Sequence, residues 1–344
     1  MLIAMILRPK PTPRHHASWS GTLPAAPSVS VPTWLRRAVP NAQTLAAQGI
    51  EDVAIAAGAA IGALDTVVRR QERWAGVWRQ RLALGGAAVT ARQAGRVEDE
   101  SALRDAVLLT RPGDDVGPAG KMLVAWRRLA SRPPEDLLTE RNLAAVMEEF
   151  GYARDDEAVS DLADDLRQLS VSIGIVGMLT GAFMAAERHG FGRTFGCWLA
   201  DVLLAQRLGW AHAVPLLGAE AALGPSARPR RSTASSVATP IETDPERAKS
   251  LLAAQARAAL RAIDLSTELE RRAEKLLAVA PKLRAKGAET VVDYLLNEDA
   301  HVASRGDKKT GMSDRGLRRL FDRLVELGAV RELSGRPIFR IYGL

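Results

Sequence analysis

Between about Gln43 and Leu223, apolar residues return every three or four positions, in blocks separated by glycine, proline and acidic turns. "IEDVAIAAGAAIGALDTVVRRQ" is one such block, and "WAGVWRQRLALGGAAVTARQAG" follows with Trp74 and Trp78 one helical turn apart. "EDESALRDAVLLT" ends at the turn-forming "RPGDDVGP", and Pro118 then opens "AGKMLVAWRRLAS" from a first helical position. "PPEDLLTERNLAAVMEEFG" repeats the device with Pro134, carries acids in its first turn and stops at Gly151. "DEAVSDLADDLRQLSVSIGIVGMLTGAFMAAERHG" and "RTFGCWLADVLLAQRLGW" complete the series. No alternating strand pattern precedes residue 329, so residues 41–223 are predicted to form an all-α domain.

The flanks read differently. Residues 1–40 hold Pro9, Pro11, Pro13, Pro24, Pro27, Pro32 and Pro40 without apolar periodicity, which predicts an extended, unstructured arm. The apolar run at its start is too short for a secretory signal. Residues 224–245, "GPSARPRRSTASSVATPIETDP", have linker composition. From Glu246 a long helix is expected to run through "LSTELERRAEKLLAVAPKL" until Pro281 ends or kinks it.

Residues 246–344 are therefore expected to form a second unit. "AETVVDYLLNEDAHVAS" reads as helical, its "EDAHVAS" end being the weakest part of that assignment. Ser313 then caps a helix in which Leu317, Leu320, Phe321, Leu324 and Leu327 share one face, and Gly328 stops it. "AVREL" and "PIFRIYG" are β-prone and joined near Ser334 and Gly335, as in a hairpin that would bury Phe339. The fold class expected is mainly α, an N-terminal multi-helix bundle with a small C-terminal winged-helix module.

Charge sharpens that expectation. The chain carries a net +7, and between Arg305 and Arg340 ten Lys/Arg face five Asp/Glu. A basic winged helix suits double-stranded DNA. Arg315, Arg318 and Arg319 would lie nearest the bases, and Lys308, Lys309, Arg323, Arg331, Arg336 and Arg340 would hold phosphates. Cations at a helix N-terminus oppose the macrodipole, so they are placed there without a stability gain. The competing reading makes them ordinary helix dressing, paired as Asp314–Arg318, Arg318–Asp322 and Arg323–Glu326 in a module that docks protein.

Other chemistry is thin. Ser170 to Ala186 is uncharged for 17 residues, about 25 Å of helix and short of a ~30 Å hydrocarbon core, so no membrane span is expected. Asp65, Asp201 and Glu187 lie in or beside apolar helices; a carboxylate site is one reading, and pairing with Arg69, Arg81 or Arg207 is the other. His15, His16, His189, His212 and His301 make no metal spacing, and no P-loop or dinucleotide fingerprint occurs. Neither a cofactor nor a catalytic set is predicted. Cys197 is the sole cysteine, which suits a reducing cytoplasm and a buried thiol.

The runs "GVWRQRLAL", "EDESALRDAVLL", "RPGDDVGPAGKMLVAWRRLASR", "PKLRAKGAETVV" and "SDRGLRRLFDRLVELGAVRELSGRPIFRIYGL" resemble an uncharacterised bacterial family of the DUF1403 type, across residues 50–220 and 250–344. The resemblance implies a bacterial protein of the kind found in high-GC genomes and on plasmids, and it brings no activity or site residue. DNA binding in transcription regulation or plasmid maintenance is the function expected, with the helical domain serving dimerisation or ligand contact.

Overall fold

The computed structural model describes residues 31–111, 113–172, 174–220, 245–303, 311–336 and 338–344. In chain order the helices are α1 (Thr33–Ala38), α2 (Ala42–Ala46), α3 (Ile50–Arg69), α4 (Ala75–Gln93), α5 (Glu100–Leu108), α6 (Gly117–Ser131) and α7 (Pro134–Leu137). They continue as α8 (Glu140–Glu149), α9 (Asp156–Ser172), α10 (Ile175–Arg188), α11 (Arg193–Leu208), α12 (Pro245–Val279), α13 (Ala288–Asn297) and α14 (Asp314–Glu326). A small antiparallel sheet of β1 (His301–Val302), β2 (Arg331–Glu332) and β3 (Ile341–Gly343) has the order β1-β3-β2. The protein is mainly α, as the apolar periodicity predicts.

Small residues set the helix packing. On α3, Val53, Ala56, Ala57, Ala60, Leu64 and Val67 are buried, a stripe at three- and four-residue spacing. The 35-residue α12 lies along that stripe with Ala253, Ala254, Ala256, Ala258, Ala259 and Ala262 buried, so two slender faces meet closely. Gly86 of α4 seats the Trp126 ring of α6, a Cβ there meeting the ring at 3.4 Å. Each fully buried indole is satisfied: Trp78 donates to Ala262 O at 2.8 Å, Trp198 to Ala125 O at 3.1 Å and Trp126 to Thr90 Oγ1 at 3.3 Å. These bonds stitch α4 to α12, α11 to α6 and α6 to α4.

Several expectations need correction. Residues 31–40 are not an unstructured arm: α1 forms there, and Val31, Leu35 and Val39 are buried in the main core. Their four-residue spacing supplies an apolar stripe that the surrounding prolines hide. Residues 1–30 lie outside the described residues. The unit boundary at 246 also moves, because α12 is a core helix of the bundle; the segment 221–244 lies outside the described residues. The α9–α10 stretch breaks at Gly174, whose extended backbone caps α10, so the uncharged run is divided between two helices. Among the described residues no helix is long and apolar enough to cross a membrane. The segment "EDAHVAS" supplies β1 rather than a helix, because it pairs with β3 through His301–Tyr342 and Val302–Ile341. Pro281 acts as expected: α12 ends at Val279 and a short 3-10 turn follows.

The sheet, α13 and α14 share one apolar layer that joins the main core. Val291, Val292, Leu295, Leu296, Leu317, Phe321 and Leu324 are buried, and Phe321 stacks on Tyr342 with ring centroids 4.5 Å apart. Gly76 of α4 lies against the Asn297 backbone, leaving no room for a Cβ, so α13 and α4 touch main chain to main chain. A buried polar knot fastens the same junction. Asp299 accepts from Arg104 Nε at 2.6 Å and from Arg81 Nε, while Arg81 and Arg272 each donate to Leu344 O at 3.2 Å. Burial alone would raise the Asp299 carboxyl, but the two guanidinium groups hold it below the usual carboxylate range.

Candidate nucleic-acid interface

Ser313 begins α14, its hydroxyl accepting from Gly316 N at 3.3 Å, and the buried leucines turn the polar residues outward. Arg315, Arg318 and Arg319 are all exposed in the first half of the helix. The dressing pairs Asp314–Arg318 and Arg318–Asp322 do not form; along α14 only Arg323 finds its acid, bonding Glu326 at 3.0 Å. Among the described residues, Arg315, Arg318 and Arg319 have no ion pair.

The other expected phosphate contacts divide three ways. Lys308 and Lys309 lie outside the described residues. Arg336 is held by Asp105 of α5, and Arg340 lies 3.8 Å from Glu332. Arg331 is exposed on β2, close enough to Arg272 to help burial push that guanidinium below its ordinary value. Arg331 thus stands beside Arg272 of α12, and the hairpin arginines beyond it are partly neutralised.

Apolar side chains interrupt this face. Val325 and Leu327 on the end of α14 and Ile338 and Phe339 in the hairpin are exposed. Phe339 is not core as expected: it is 52% exposed, with a left-handed φ of 56° that carries its ring off the sheet. Leu327 is 37% exposed because α14 has already given way to its C-terminal turn.

The carboxylates considered for catalysis have separate structural duties. Asp65 accepts from Arg69 Nε and Trp210 Nε1, both at 2.8 Å; burial works to raise it, but these bonds leave it below the ordinary range. Asp201 accepts from Leu216 N at 2.7 Å and Leu217 N at 3.1 Å, and burial pushes it well above that range. Glu187 pairs with Arg247. Of the arginines proposed as partners, Arg69 serves Asp65, Arg81 serves Asp299 and Arg207 donates to Ser170 O at 3.3 Å. Cys197 is buried and its thiol is pushed up, first by burial and then by Asp201. Among the described residues no three His, Cys, Asp or Glu side chains are placed to hold a metal.

Sequence reasoning missed Asp299 and Arg104, and it set Arg81 against other carboxylates. Arg81 and Arg104 lie about 200 residues from Asp299 in sequence, so no local spacing points to the trio.

The fold is thus a helical body carrying a small three-stranded unit whose outermost helix is arginine-rich. A family model for proteins of unknown function, DUF1403, matches residues 18–344, and the chain belongs to that family. No curated protein matches it.

Proposed function

We propose that the C-terminal unit is a winged helix that binds double-stranded DNA through α14. The order α13, β1, α14, β2, β3 and the strand order β1-β3-β2 support this reading; 304–310, between β1 and α14, lie outside the described residues. The observation that carries the reading is the exposure of Arg315, Arg318 and Arg319 without ion pairs among the described residues. Their macrodipole cost brings no return among the described residues, whereas a phosphate or a guanine edge would satisfy them. A role in transcription regulation or plasmid maintenance in a bacterial cytoplasm is consistent with such binding.

The exposed Val325, Leu327, Ile338 and Phe339 favour a second reading, in which this unit docks a protein or a second copy of the chain. Fluorescence anisotropy of the full-length protein on random duplex DNA across a salt series separates the two. The full chain is required because α12 is buried against α3. DNA binding predicts a steep salt slope, reduced by roughly 1–2 on replacing Arg318 and Arg319 together by alanine, with affinity falling about tenfold or more. Salt-independent or absent binding by the folded protein would leave the protein-docking reading.

A further inference from the structure

A cavity of about 380 Å³ lies where the end of α3, the start of α4, the segment after α11 and the end of α13 meet. Its walls combine Trp78, Trp210 and Val67 with Arg79, His212 and Asn297. Both indole N–H groups are committed elsewhere, to Ala262 O and to Asp65, so these side chains offer the cavity ring surface rather than donors.

Arg79 is the unusual member. Its Nε donates to Ala130 O at 2.8 Å, which leaves its two terminal amino groups. Three shielded arginines of the helical body do have carboxylates: Arg81 and Arg104 share Asp299, and Arg128 has Glu149. Arg79 forms no ion pair among the described residues. Glu72, the carboxylate of the lining, instead lies near Glu270, which it helps burial to raise. Burial brings the Arg79 guanidinium down to about 10, and burial followed by the Arg79 charge lowers His212 as well. A guanidinium taken out of water without an anion is costly, and the cost is recovered when a ligand brings the charge.

Backbone geometry at the rim agrees. Gln71 joins α3 to α4 with a φ of 46°, a left-handed conformation for a residue with a side chain, and it lines the same cavity. Strain of this kind collects where a site must be held in shape.

We propose that this cavity binds a small organic monoanion, a carboxylate with an aromatic or branched aliphatic body. Arg79 meets the carboxylate end-on through its two terminal amino groups, and His212, neutral and placed beside it, donates a further hydrogen bond. Trp78, Trp210 and Val67 cover the apolar body. Of the two lining arginines Arg69 is paired with Asp65, so a single negative charge matches the remaining cation, Arg79. Asn297 ends α13 and stands two residues before Asp299, so the ligand would rest on the helix that leads into the three-stranded unit. This inference does not depend on DNA binding: the site would stand if that reading fell.

The test uses full-length protein with benzoate, phenylacetate and 4-methylpentanoate, each beside its uncharged amide, read by thermal melting and tryptophan fluorescence. Sodium chloride at matched ionic strength is the control. At least one acid should bind saturably and raise the melting temperature, with its amide tenfold or more weaker. Arg79→Met should weaken that acid tenfold or more while leaving the ligand-free protein about as stable as the wild type, because removing the uncompensated charge offsets the lost bond to Ala130 O. His212→Gln should weaken it less. The proposal is overturned if no acid binds better than its amide, or if a folded Arg79→Met variant binds undiminished. Should Arg79→Met not fold, the acid-against-amide comparison on the wild type and the His212→Gln variant decide the matter.

Discussion

Replacing Asp299 by asparagine should uncouple the three-stranded unit from the helical body. The Asp299 side chain is fully buried, and those of Arg81 and Arg104 are 13% and 10% exposed. Oδ1 of the carboxylate accepts from Arg81 Nε and, at 3.4 Å, from Arg104 Nη2, and Oδ2 accepts from Arg104 Nε; a charge-assisted bond contributes about 1.5–3 kcal/mol. Asparagine keeps the shape and one acceptor but leaves two largely buried cations facing a neutral amide. A loss of about 3 kcal/mol is expected, the lower part of the roughly 3–5 kcal/mol seen when a buried ion pair loses one partner. With an unfolding entropy of roughly 2.1 cal/mol/K per residue, 344 residues convert that loss to about 4 °C in Tm.

Urea unfolding of both proteins from neutral to acid pH gives the second reading. The Asp299 carboxyl is held below its usual range in the folded protein. Its stabilisation is therefore fully present above the unfolded value, near 4, and is lost as pH falls through the lower folded value. The gap between wild type and variant should be constant at neutral pH and close on acidification. A neutral-pH gap below about 1 kcal/mol would refute the reasoning, since desolvation would then have cancelled the attraction. A gap unchanged down to about pH 3 would refute it too, by showing that the loss comes from shape and not charge.

Two further substitutions test the core and its buried acid. A Cβ at Gly218 would fall 2.3 Å from the fully buried Trp126 ring, so Gly218→Ala should cost about 1–3 kcal/mol in urea unfolding and shift the tryptophan emission. Asp201 has a raised folded pKa, so its ionisation works against folding as pH rises above the ordinary carboxylate value near 4. Asp201→Asn, which keeps an acceptor for Leu216 N and Leu217 N, should therefore gain on the wild type from acid to neutral pH in urea titrations. Asp201→Ala strands both donors and should lose about 1–3 kcal/mol.

Local pattern carried much of this fold and little of the coupling within it. The stripe from Val53 to Val67 and the face from Leu317 to Leu324 are legible because helical spacing is written in consecutive residues. The cap at Ser313 is equally local. By contrast, β1 is two residues long and exists only because β3 pairs with it, so no alternation announces it. The role of α12 was hidden because a linker-like composition precedes a helix whose alanine-rich face fits α3, and composition does not say where a helix docks. At the candidate interface the arginines of α14 are evident in the sequence, but that Arg315, Arg318 and Arg319 have no ion pair among the described residues is a matter of side-chain geometry. Arg79 and His212 stand 133 positions apart, so the cavity they share has no sequence signature.

The pairing of α3 with α12 also sets a timetable for synthesis. The ribosome must add on the order of 200 residues after α3 before α12 is available, about 10–40 s at roughly 5–20 residues per second. Throughout that interval Val53, Ala60 and Leu64 lack their final cover, and the Trp78 indole lacks its acceptor on α12. The nascent chain therefore presents these helical apolar faces uncovered until α12 arrives. The helical body cannot close until α12, which leads into the three-stranded unit, has been made, so a prematurely released chain would carry neither a finished body nor the three-stranded unit.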